Sequence, residues 1–215
     1  MPGAANWQHE QSLWEKGFEF VAGVDEVGRG AWAGPVVSAA VVFPKFCQFP
    51  RELFDSKIIN SKLREELAKE IYASAAATAI GVVEVDYINR FGIGKAAQKS
   101  FRLSVQSLKV VPDFFLVDAF YIKRIRKEKQ LPIIHGDRLS ASIAAASIIA
   151  KVYRDRLLRK LHRSFPDYGF GKNKGYGTKF HQEALQKHSL SSVHRLSFDL
   201  RAYLSEPELS ANVQN

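Results

Sequence analysis

The chain has 215 residues, of which 46% are hydrophobic and 25% are charged, and its formal net charge at pH 7 is +9. This length suits one generous domain whose core is large enough to fold without disulfides, and the lone Cys47 excludes an intrachain disulfide. No apolar run approaches the roughly 18 residues that a membrane helix needs, and the N-terminus lacks the basic and apolar segments of a signal peptide. We therefore expect a cytoplasmic protein that does not bind a membrane, and we expect it to be a monomer.

The positive charge is concentrated in one part of the chain. Residues 121–195 hold 17 Lys and Arg against 5 Asp and Glu, whereas the remainder holds 14 against 17. A one-sided basic surface favours a polyanionic partner such as a nucleic acid. The alternative is a generally basic, solvated protein, and composition alone does not separate the two.

The hydrophobic pattern predicts alternating strands and helices. In chain order it predicts strands at 20–24 and 36–43, a helix at 62–76 with Ser61 as its N-cap, a strand at 79–84, a helix at 93–108, strands at 114–117 and 133–134, a helix at 142–162, a loop at 166–177 and a helix at 178–188. The core face of the longest helix is predicted to hold Ile143, Ala146, Ala150, Tyr153, Leu157 and Leu161. This order predicts an α/β layered fold, with residues 1–204 as one domain and 205–215 as a flexible tail.

Four carboxylates, Asp25, Glu26, Asp118 and Asp137, follow predicted strands at or just beyond their ends. Binding and catalytic sites gather at strand ends in α/β sheets, and carboxylate oxygens suit hard cations such as Mg²⁺ and Mn²⁺. Taken singly, an Asp that closes a strand is more often a turn or cap residue. Neighbouring strand residues also point to opposite faces. Asp25 and Glu26 therefore reach one site only if the strand ends between them, or if Glu26 contributes through its main chain.

A short glycine-rich segment, Gly28-Arg29-Gly30, comes directly after these acids. It lacks the third glycine of a dinucleotide-binding fingerprint at the right spacing and is compatible with a plain turn. The glycines would also let the backbone approach a ligand closely, and the guanidinium of Arg29 could pair with a phosphate. The residues themselves leave both readings open.

Four stretches of the chain, in this order, resemble the ribonuclease HII family, which is the type 2 ribonuclease H family. They are Gly23-Val-Asp-Glu-Val-Gly-Arg-Gly-Ala-Trp-Ala-Gly-Pro-Val36, Asp55-Ser56-Lys57, the segment from His135 to Asp155, and Gly175-Tyr-Gly-Thr178 with His181 and His194-Arg-Leu-Ser-Phe198. The resemblance runs from about Val21 to Phe198. It implies a ribonuclease H-like fold, with a mixed central β-sheet flanked by helices and a helical C-terminal extension. The sibling type HIII is a poor match, because only 24 residues precede Asp25.

The resemblance also implies an activity. The expected reaction is hydrolysis of the RNA strand in RNA–DNA hybrids and cleavage at ribonucleotides embedded in duplex DNA, leaving 5′-phosphate and 3′-hydroxyl ends. Asp25, Glu26, Asp118 and Asp137 match the family's acidic quartet. We expect them to hold two divalent ions, Mg²⁺ or Mn²⁺, roughly 3.5–4 Å apart; one ion would activate a water and the other would stabilise the leaving 3′ oxygen.

The resemblance further implies contacts with the substrate. Gly28, Arg29 and Gly30 match the ribose-reading loop, and Tyr176 matches the tyrosine that packs against the sugar beside the cut. Ser56 and Lys57 match a loop that contacts phosphates. Lys57 and the basic segment 121–195 are expected to hold the duplex through its phosphates.

One further acid and three departures from the commonest family pattern complete the interpretation. Asp155 lies one helical turn after Lys151, which favours a surface ion pair; support of the metal ligands is the alternative. The departures are Ala31-Trp32, the turn Asp118-Ala-Phe-Tyr121 and Ile58-Ile-Asn60. They bear on how the substrate is gripped and not on the proposed ligands.

Two rival functions remain at this point. A nuclease of the same fold could act on another substrate, such as a DNA junction, and a panel of cleavage substrates would identify it. A non-enzymatic nucleic-acid-binding protein would need the basic surface but not the acidic quartet, and a metal titration would identify it.

Overall fold

The structure is a computed structural model that describes residues 4–47, 53, 56 and 59–204. These residues form two compact units. The first unit comprises the described parts of Met1–Val27, Val37–Val82 and Ala97–Tyr153, and the second comprises those of Gly28–Val36, Val83–Ala96 and Arg154–Asn215. Lys57 and the tail 205–215, for which we predicted a phosphate contact and flexibility, lie outside the described residues.

The first unit is built on a five-stranded mixed sheet. Its strands are β1 (Val21–Val27), β2 (Val36–Val42), β3 (Ala77–Val83), β4 (Phe114–Asp118) and β5 (Gln130–Ile133), in the order β3-β2-β1-β4-β5. Strand β1 pairs antiparallel with β2 and parallel with β4, and β4 pairs parallel with β5. Because β1, β4 and β5 run in one direction, their C-terminal ends lie at the same edge of the sheet.

Seven α-helices were assigned among the described residues. They are α1 (Gln8–Glu15), α2 (Ser61–Ser74), α3 (Val85–Phe91), α4 (Ile93–Gln106), α5 (Ala141–Ser164), α6 (Phe170–Asn173) and α7 (Lys179–His188). Alternation along the strands sends side chains to the two faces of the sheet. On one face Val24 and Val117 pack with Phe101 of α4. On the other face Leu116 packs with Trp14 of α1 and Ile143 of α5, so the first unit is a sheet between helical layers.

The second unit has its own apolar core. Leu158 of α5, Phe170 of α6 and Leu185 of α7 are fully buried there, together with Tyr168 and Leu200. This is the helical C-terminal part that we expected. Among the described residues, no helix is both long enough and apolar enough to cross a membrane.

The predicted strands and long helices are all present, but several details were wrong. The N-cap of α2 is Asn60, whose side chain accepts a hydrogen bond from the amide of Leu63 at 2.9 Å, and not Ser61. Tyr153, which we predicted on the core face of α5, is 37% exposed, whereas Leu158 of the same helix is buried. Helix α3 was not predicted, and the expected loop 166–177 contains α6 and a 3₁₀ turn at Pro166–Tyr168.

Candidate active site

The sheet brings three of the predicted acidic residues to one edge. Asp25 lies near the end of β1, Asp118 is the last residue of β4, and Asp137 lies in the 3₁₀ turn Gly136–Arg138 that follows β5. Val24 is in register with Val117, so Asp25 and Asp118 take the next positions on adjacent parallel strands. The amide of Gly136 donates a 2.8 Å hydrogen bond to Asp118 Oδ1. This bond ties the turn that carries Asp137 to the end of β4.

Asp25 occupies a strongly perturbed position at this edge. Its side chain is only 4% exposed. Burial raises the pKa of Asp25 well above its usual range, and the negative charges of Glu26, Asp118 and Asp137 raise it further, whereas a hydrogen bond from Ser147 lowers it. The carboxylates are therefore close enough to repel one another, which is a concentration of negative charge that a cation would offset.

Glu26 differs from the three aspartates. Strand β1 continues to Val27, so the alternative in which the strand ends between Asp25 and Glu26 does not hold. The amide of Glu26 donates a 2.6 Å hydrogen bond to Asp25 Oδ1, and its carboxylate is one of the charges that raise the pKa of Asp25. Of the two ways in which Glu26 could serve the site, the contribution through its main chain is the one that the strand leaves open.

Ser56 occupies an internal position. It is 2% exposed, and its hydroxyl lies 2.9 Å from the hydroxyl of Ser147, the residue that hydrogen-bonds to Asp25. A phosphate contact by Ser56, as the resemblance implied, could come only from its main chain, because the hydroxyl is enclosed. The structure instead places Ser56 behind Ser147, where it helps to orient the serine that holds Asp25.

The donor set fits a hard divalent cation, although its side chains are not arranged as ligands in this structure. Among the described residues, no group of three or more His, Cys, Asp or Glu side chains is placed to hold a metal ion. Oxygens of Asp25 and Asp118 accept hydrogen bonds from the amides of Glu26 and Gly136, and the like charges repel one another. The chemistry of the set is nevertheless that of oxygen ligands for Mg²⁺ or Mn²⁺.

The second unit carries the segment Gly28-Arg29-Gly30. Gly28 has a φ of 92°, and a Cβ placed on it would lie 2.2 Å from Nε of Arg154, so this glycine is required by the packing of its own unit. A Cβ on Gly30 would meet no atom within 4 Å. Internal packing therefore explains why position 28 is a glycine, but it does not explain Gly30. The open space at Gly30 is what a ligand would need in order to approach the main chain closely.

Two buried arginines hold the carbonyl group of Arg29 and those of residues 33–35, which follow this segment. Arg154 donates to the carbonyls of Pro35 (2.9 Å), Ala33 (3.1 Å) and Lys174 (2.8 Å). Arg195 donates twice to the carbonyl of Gly34 (3.0 and 2.8 Å) and once to that of Arg29 (2.9 Å). Both side chains are 0% exposed. Burial lowers the pKa of both guanidinium groups, and repulsion from Arg154 helps to bring the pKa of Arg195 to about 9.

Tyr176 belongs to the same arrangement. The guanidinium of Arg154 lies 5.5 Å from the centre of its ring, a cation–π contact. The amides of Trp32 and Ala33 both donate to the carbonyl of Gly175, at 2.8 and 3.2 Å. A Cβ on Gly177 would lie 2.2 Å from the indole of Trp32. The structure thus brings Tyr176 together with the segment after Gly30, and Trp32, a departure from the family pattern, fills the space beside Gly177.

A pair of buried histidines contacts the main chain of Tyr176. His181 Nδ1 lies 3.0 Å from the carbonyl of Tyr176, and its Nε2 lies 2.9 Å from Nε2 of His194. His194 Nδ1 accepts from the amide of Ser191 at 2.9 Å, so the proton of His194 is on Nε2 and is donated to His181. Burial and the neighbouring His181 lower the pKa of His194 to about 4, and burial lowers the pKa of His181. The pair is therefore neutral near pH 7.

Asp155 is not a surface residue. It is 6% exposed, so the surface ion pair predicted from its spacing to Lys151 was wrong about its environment. Its charge raises the pKa of Arg154 and so stabilises the charged form of that buried guanidinium. Asp155 therefore supports the guanidinium that bonds to the carbonyls of Ala33 and Pro35.

Sequence reasoning missed the roles of Ser147, Arg154 and Arg195. Ser147 and Arg154 lie in the stretch that resembles the family, but nothing in their spacing indicates that they are buried beside Asp25 and Tyr176. The signal that could have raised suspicion is a polar residue within a helix that is otherwise apolar on its core side, because such residues are buried only with partners.

Comparison with known structures defines the class of fold. The ribonuclease H2 of Pyrococcus horikoshii superposes with a TM-score of 0.74 at 22% identity, covering 91% of this chain and 100% of that one. Bst-RNase HIII in complex with Mn²⁺ gives a TM-score of 0.65 at 20% identity, covering 86% of this chain and 68% of that one. The expected ribonuclease H-like fold is confirmed.

Sequence comparison then places the chain within that class. The family profile for Ribonuclease HII matches residues 22–201. A Ribonuclease HII of Ligilactobacillus salivarius is 47% identical over 191 residues, covering 88% of this chain and 73% of the relative. The chain belongs to the ribonuclease HII family. It is therefore a ribonuclease H, a hydrolase with endoribonuclease activity on RNA–DNA hybrids.

Proposed function

We propose that the chain cuts the RNA strand of hybrids, cuts at single ribonucleotides embedded in duplex DNA, and leaves 5′-phosphate and 3′-hydroxyl ends. The observation that carries this proposal is the meeting of Asp25, Asp118 and Asp137 at one edge of the sheet, with the pKa of Asp25 raised by burial and further by its acidic neighbours. A divalent cation can stabilise the negative charge that develops during phosphodiester hydrolysis, and this edge is where the chain could hold one.

The residues that would hold divalent ions are Asp25, Glu26, Asp118 and Asp137, with Glu26 contributing partly through its main chain. Two bound Mg²⁺ or Mn²⁺ ions would supply activation of a water and neutralisation of charge on the leaving oxygen. The proposal is supported by the donor chemistry and by Bst-RNase HIII, which shares the fold and binds Mn²⁺.

The chain's own hydrogen bonds would orient these carboxylates. Ser147 donates to Asp25 and is itself in contact with Ser56, while the amide of Gly136 donates to Asp118. Both bonds fix carboxylate direction before a ligand arrives, which reduces the reorganisation that the reaction must drive.

Recognition of the ribonucleotide is assigned to the second unit. Arg29 and the main chain at Gly30 would read the 2′ hydroxyl, the group that distinguishes RNA from DNA. The ring of Tyr176, with Arg154 on it, would pack against the neighbouring sugar. Lys57 and the basic segment 121–195 would hold phosphates, which position a duplex without reading its sequence.

A panel of cleavage substrates tests this proposal. The panel contains an RNA–DNA hybrid, duplex DNA with one ribonucleotide, all-DNA duplex and a DNA junction, each with Mg²⁺, with Mn²⁺ and with chelator. We expect cutting of the first two only, and only with a divalent ion. Cutting of the junction but not of the single-ribonucleotide duplex would identify the rival nuclease, and binding without any cutting would contradict the enzyme.

A further inference from the structure

The connection between β4 and β5 carries an unusual density of positive charge. We call residues 121–129 the cationic loop. It holds Lys123, Arg124, Arg126, Lys127 and Lys129 against Glu128 alone, and all five cations are exposed. Such a run is ordinarily a solvated, mobile face, so its conformation decides whether it can be a binding surface.

The main chain in the first half of the cationic loop is held by two glutamine side chains. Gln130, 4% exposed, accepts from the amide of Ile122 at 2.8 Å and donates to the carbonyls of Ile122 (3.1 Å) and Ile125 (2.9 Å). Gln98 of α4 donates to the carbonyl of Tyr121 at 2.9 Å and accepts from the amide of Lys123 at 2.8 Å. Ile122 is 1% exposed and belongs to the core of the first unit. A main chain fixed in this way loses little conformational entropy of its own on binding.

The charges on this fixed loop are largely unneutralised. Within the part of the chain that the structure describes, its ion pair is Arg126–Glu128, at 3.5 Å and strongly exposed on both sides. Lys127 lies 5.7 Å from the centre of the Tyr121 ring. Holding like charges side by side in a rigid loop costs repulsion, which a polyanion would relieve.

The cationic loop starts close to one of the site carboxylates, Asp118. It begins three residues after Asp118, at the C-terminal end of β4, and is followed by Gln130, which opens the parallel strand β5 opposite Phe115. It therefore passes from the carboxylate edge of the sheet towards the other edge, a distance of about 10 Å for the three residue steps from Asp118 back to Phe115. That distance corresponds to roughly three base pairs of duplex.

From the charge, the rigidity and the position of the loop, we propose that it is a phosphate-binding surface that grips the duplex flanking the cut. The ligand is the phosphodiester backbone of double-stranded nucleic acid, contacted without regard to sequence. This inference rests on the proposed function only for the statement that the gripped duplex flanks a cut. Substrates whose duplex extends from the cut as far as the cationic loop should therefore be preferred over shorter ones.

Binding of all-DNA duplex tests the inference separately from catalysis, because no cut is involved. The loop variant is Lys123→Gln/Arg124→Gln/Lys129→Gln, which leaves the Arg126–Glu128 pair intact. The matched control, Lys16→Gln/Lys69→Gln/Lys109→Gln, removes the same charge from other exposed positions of the first unit. Affinity is measured against salt for a duplex of about two helical turns, roughly 20 base pairs.

The slope of log affinity against log salt is negative, and in the loop variant its magnitude should fall by about 0.9 for each phosphate that the loop no longer neutralises, and so by up to about 2.7. The control variant should change the slope little, and Lys123→Arg/Lys129→Arg should preserve it. Cleavage of a long hybrid should slow in the loop variant while cleavage of a hybrid of about half a turn does not.

An unchanged slope in a loop variant with the parental melting temperature would overturn the inference, and would leave an acidic protein as the partner to seek. Equal reductions of the slope in the loop and control variants would also overturn it, since only net charge would then matter. If the parent fails to cut any hybrid while the loop variant alone shows the reduced salt slope, the proposed function fails and the binding surface stands.

Discussion

Replacement of Arg195 by methionine tests whether this buried arginine positions Arg29, which we propose reads the ribonucleotide. The guanidinium makes three hydrogen bonds, two to the carbonyl of Gly34 and one to that of Arg29. A buried acceptor left without its donor costs roughly 1–3 kcal/mol, and two acceptors are affected. Removal of a buried charge offsets part of this cost. We expect Arg195→Met to lose about 2–3 kcal/mol of unfolding free energy, or about 5–10 °C in melting temperature.

The functional consequence is assayed well below the melting temperature of the variant. Because Arg195 fixes the carbonyl of Arg29, its removal should displace Arg29 and lower kcat/KM on the single-ribonucleotide duplex by up to about a hundredfold. The reduction on a continuous hybrid should be smaller. Arg201→Met is the matched control, since Arg201 is exposed and pairs with Asp199 at the surface, and it should change neither quantity. Parental cleavage by a folded Arg195→Met protein would refute the positioning role.

The remaining predictions concern His194 and Tyr176. The free energy of unfolding should fall by up to about 3 kcal/mol as the pH drops from about 6.5 to about 4, because His194 takes up a proton near pH 6.5 when unfolded and only near pH 4 when folded. In thermal melts His194→Asn should flatten this pH dependence. An equally steep dependence in the variant would contradict the role of His194. Tyr176→Phe should keep most single-ribonucleotide cleavage, whereas Tyr176→Ala should lose roughly 1–3 kcal/mol of transition-state stabilisation; equal rates in the two variants, or a reduction explained by unfolding alone, would return Tyr176 to a packing role.

Much of the fold could be predicted from local patterns, because apolar periodicity is written in consecutive residues. The buried strand β2 and the long helix α5 are examples, and both appear where expected. The limits of local pattern are equally visible on α5. Periodicity placed Tyr153 in the core, but the helix buries the adjacent Arg154, whose partners Ala33 and Pro35 are more than a hundred residues away in the chain.

The candidate site likewise has features that local sequence patterns predict and features that they do not. The strand-end positions of Asp118 and Asp137 follow from the predicted elements, whereas the enclosure of Ser56 and the continuation of β1 through Glu26 do not. Those features depend on contacts with Ser147 and on the pairing of β1 with its neighbours. Such contacts arise only when distant segments meet.

Cleavage of duplex DNA carrying one ribonucleotide, by the parent and by Asp118→Asn, tests the central claim most directly. The substitution removes one negative charge and keeps the shape of the side chain. It should cost several kcal/mol of transition-state stabilisation, which is a decrease of about a hundredfold or more in rate, while substrate affinity changes little. The parent should cut only with Mg²⁺ or Mn²⁺ present. Near-parental cutting by Asp118→Asn at saturating metal, or full parental activity in excess chelator, would contradict the account.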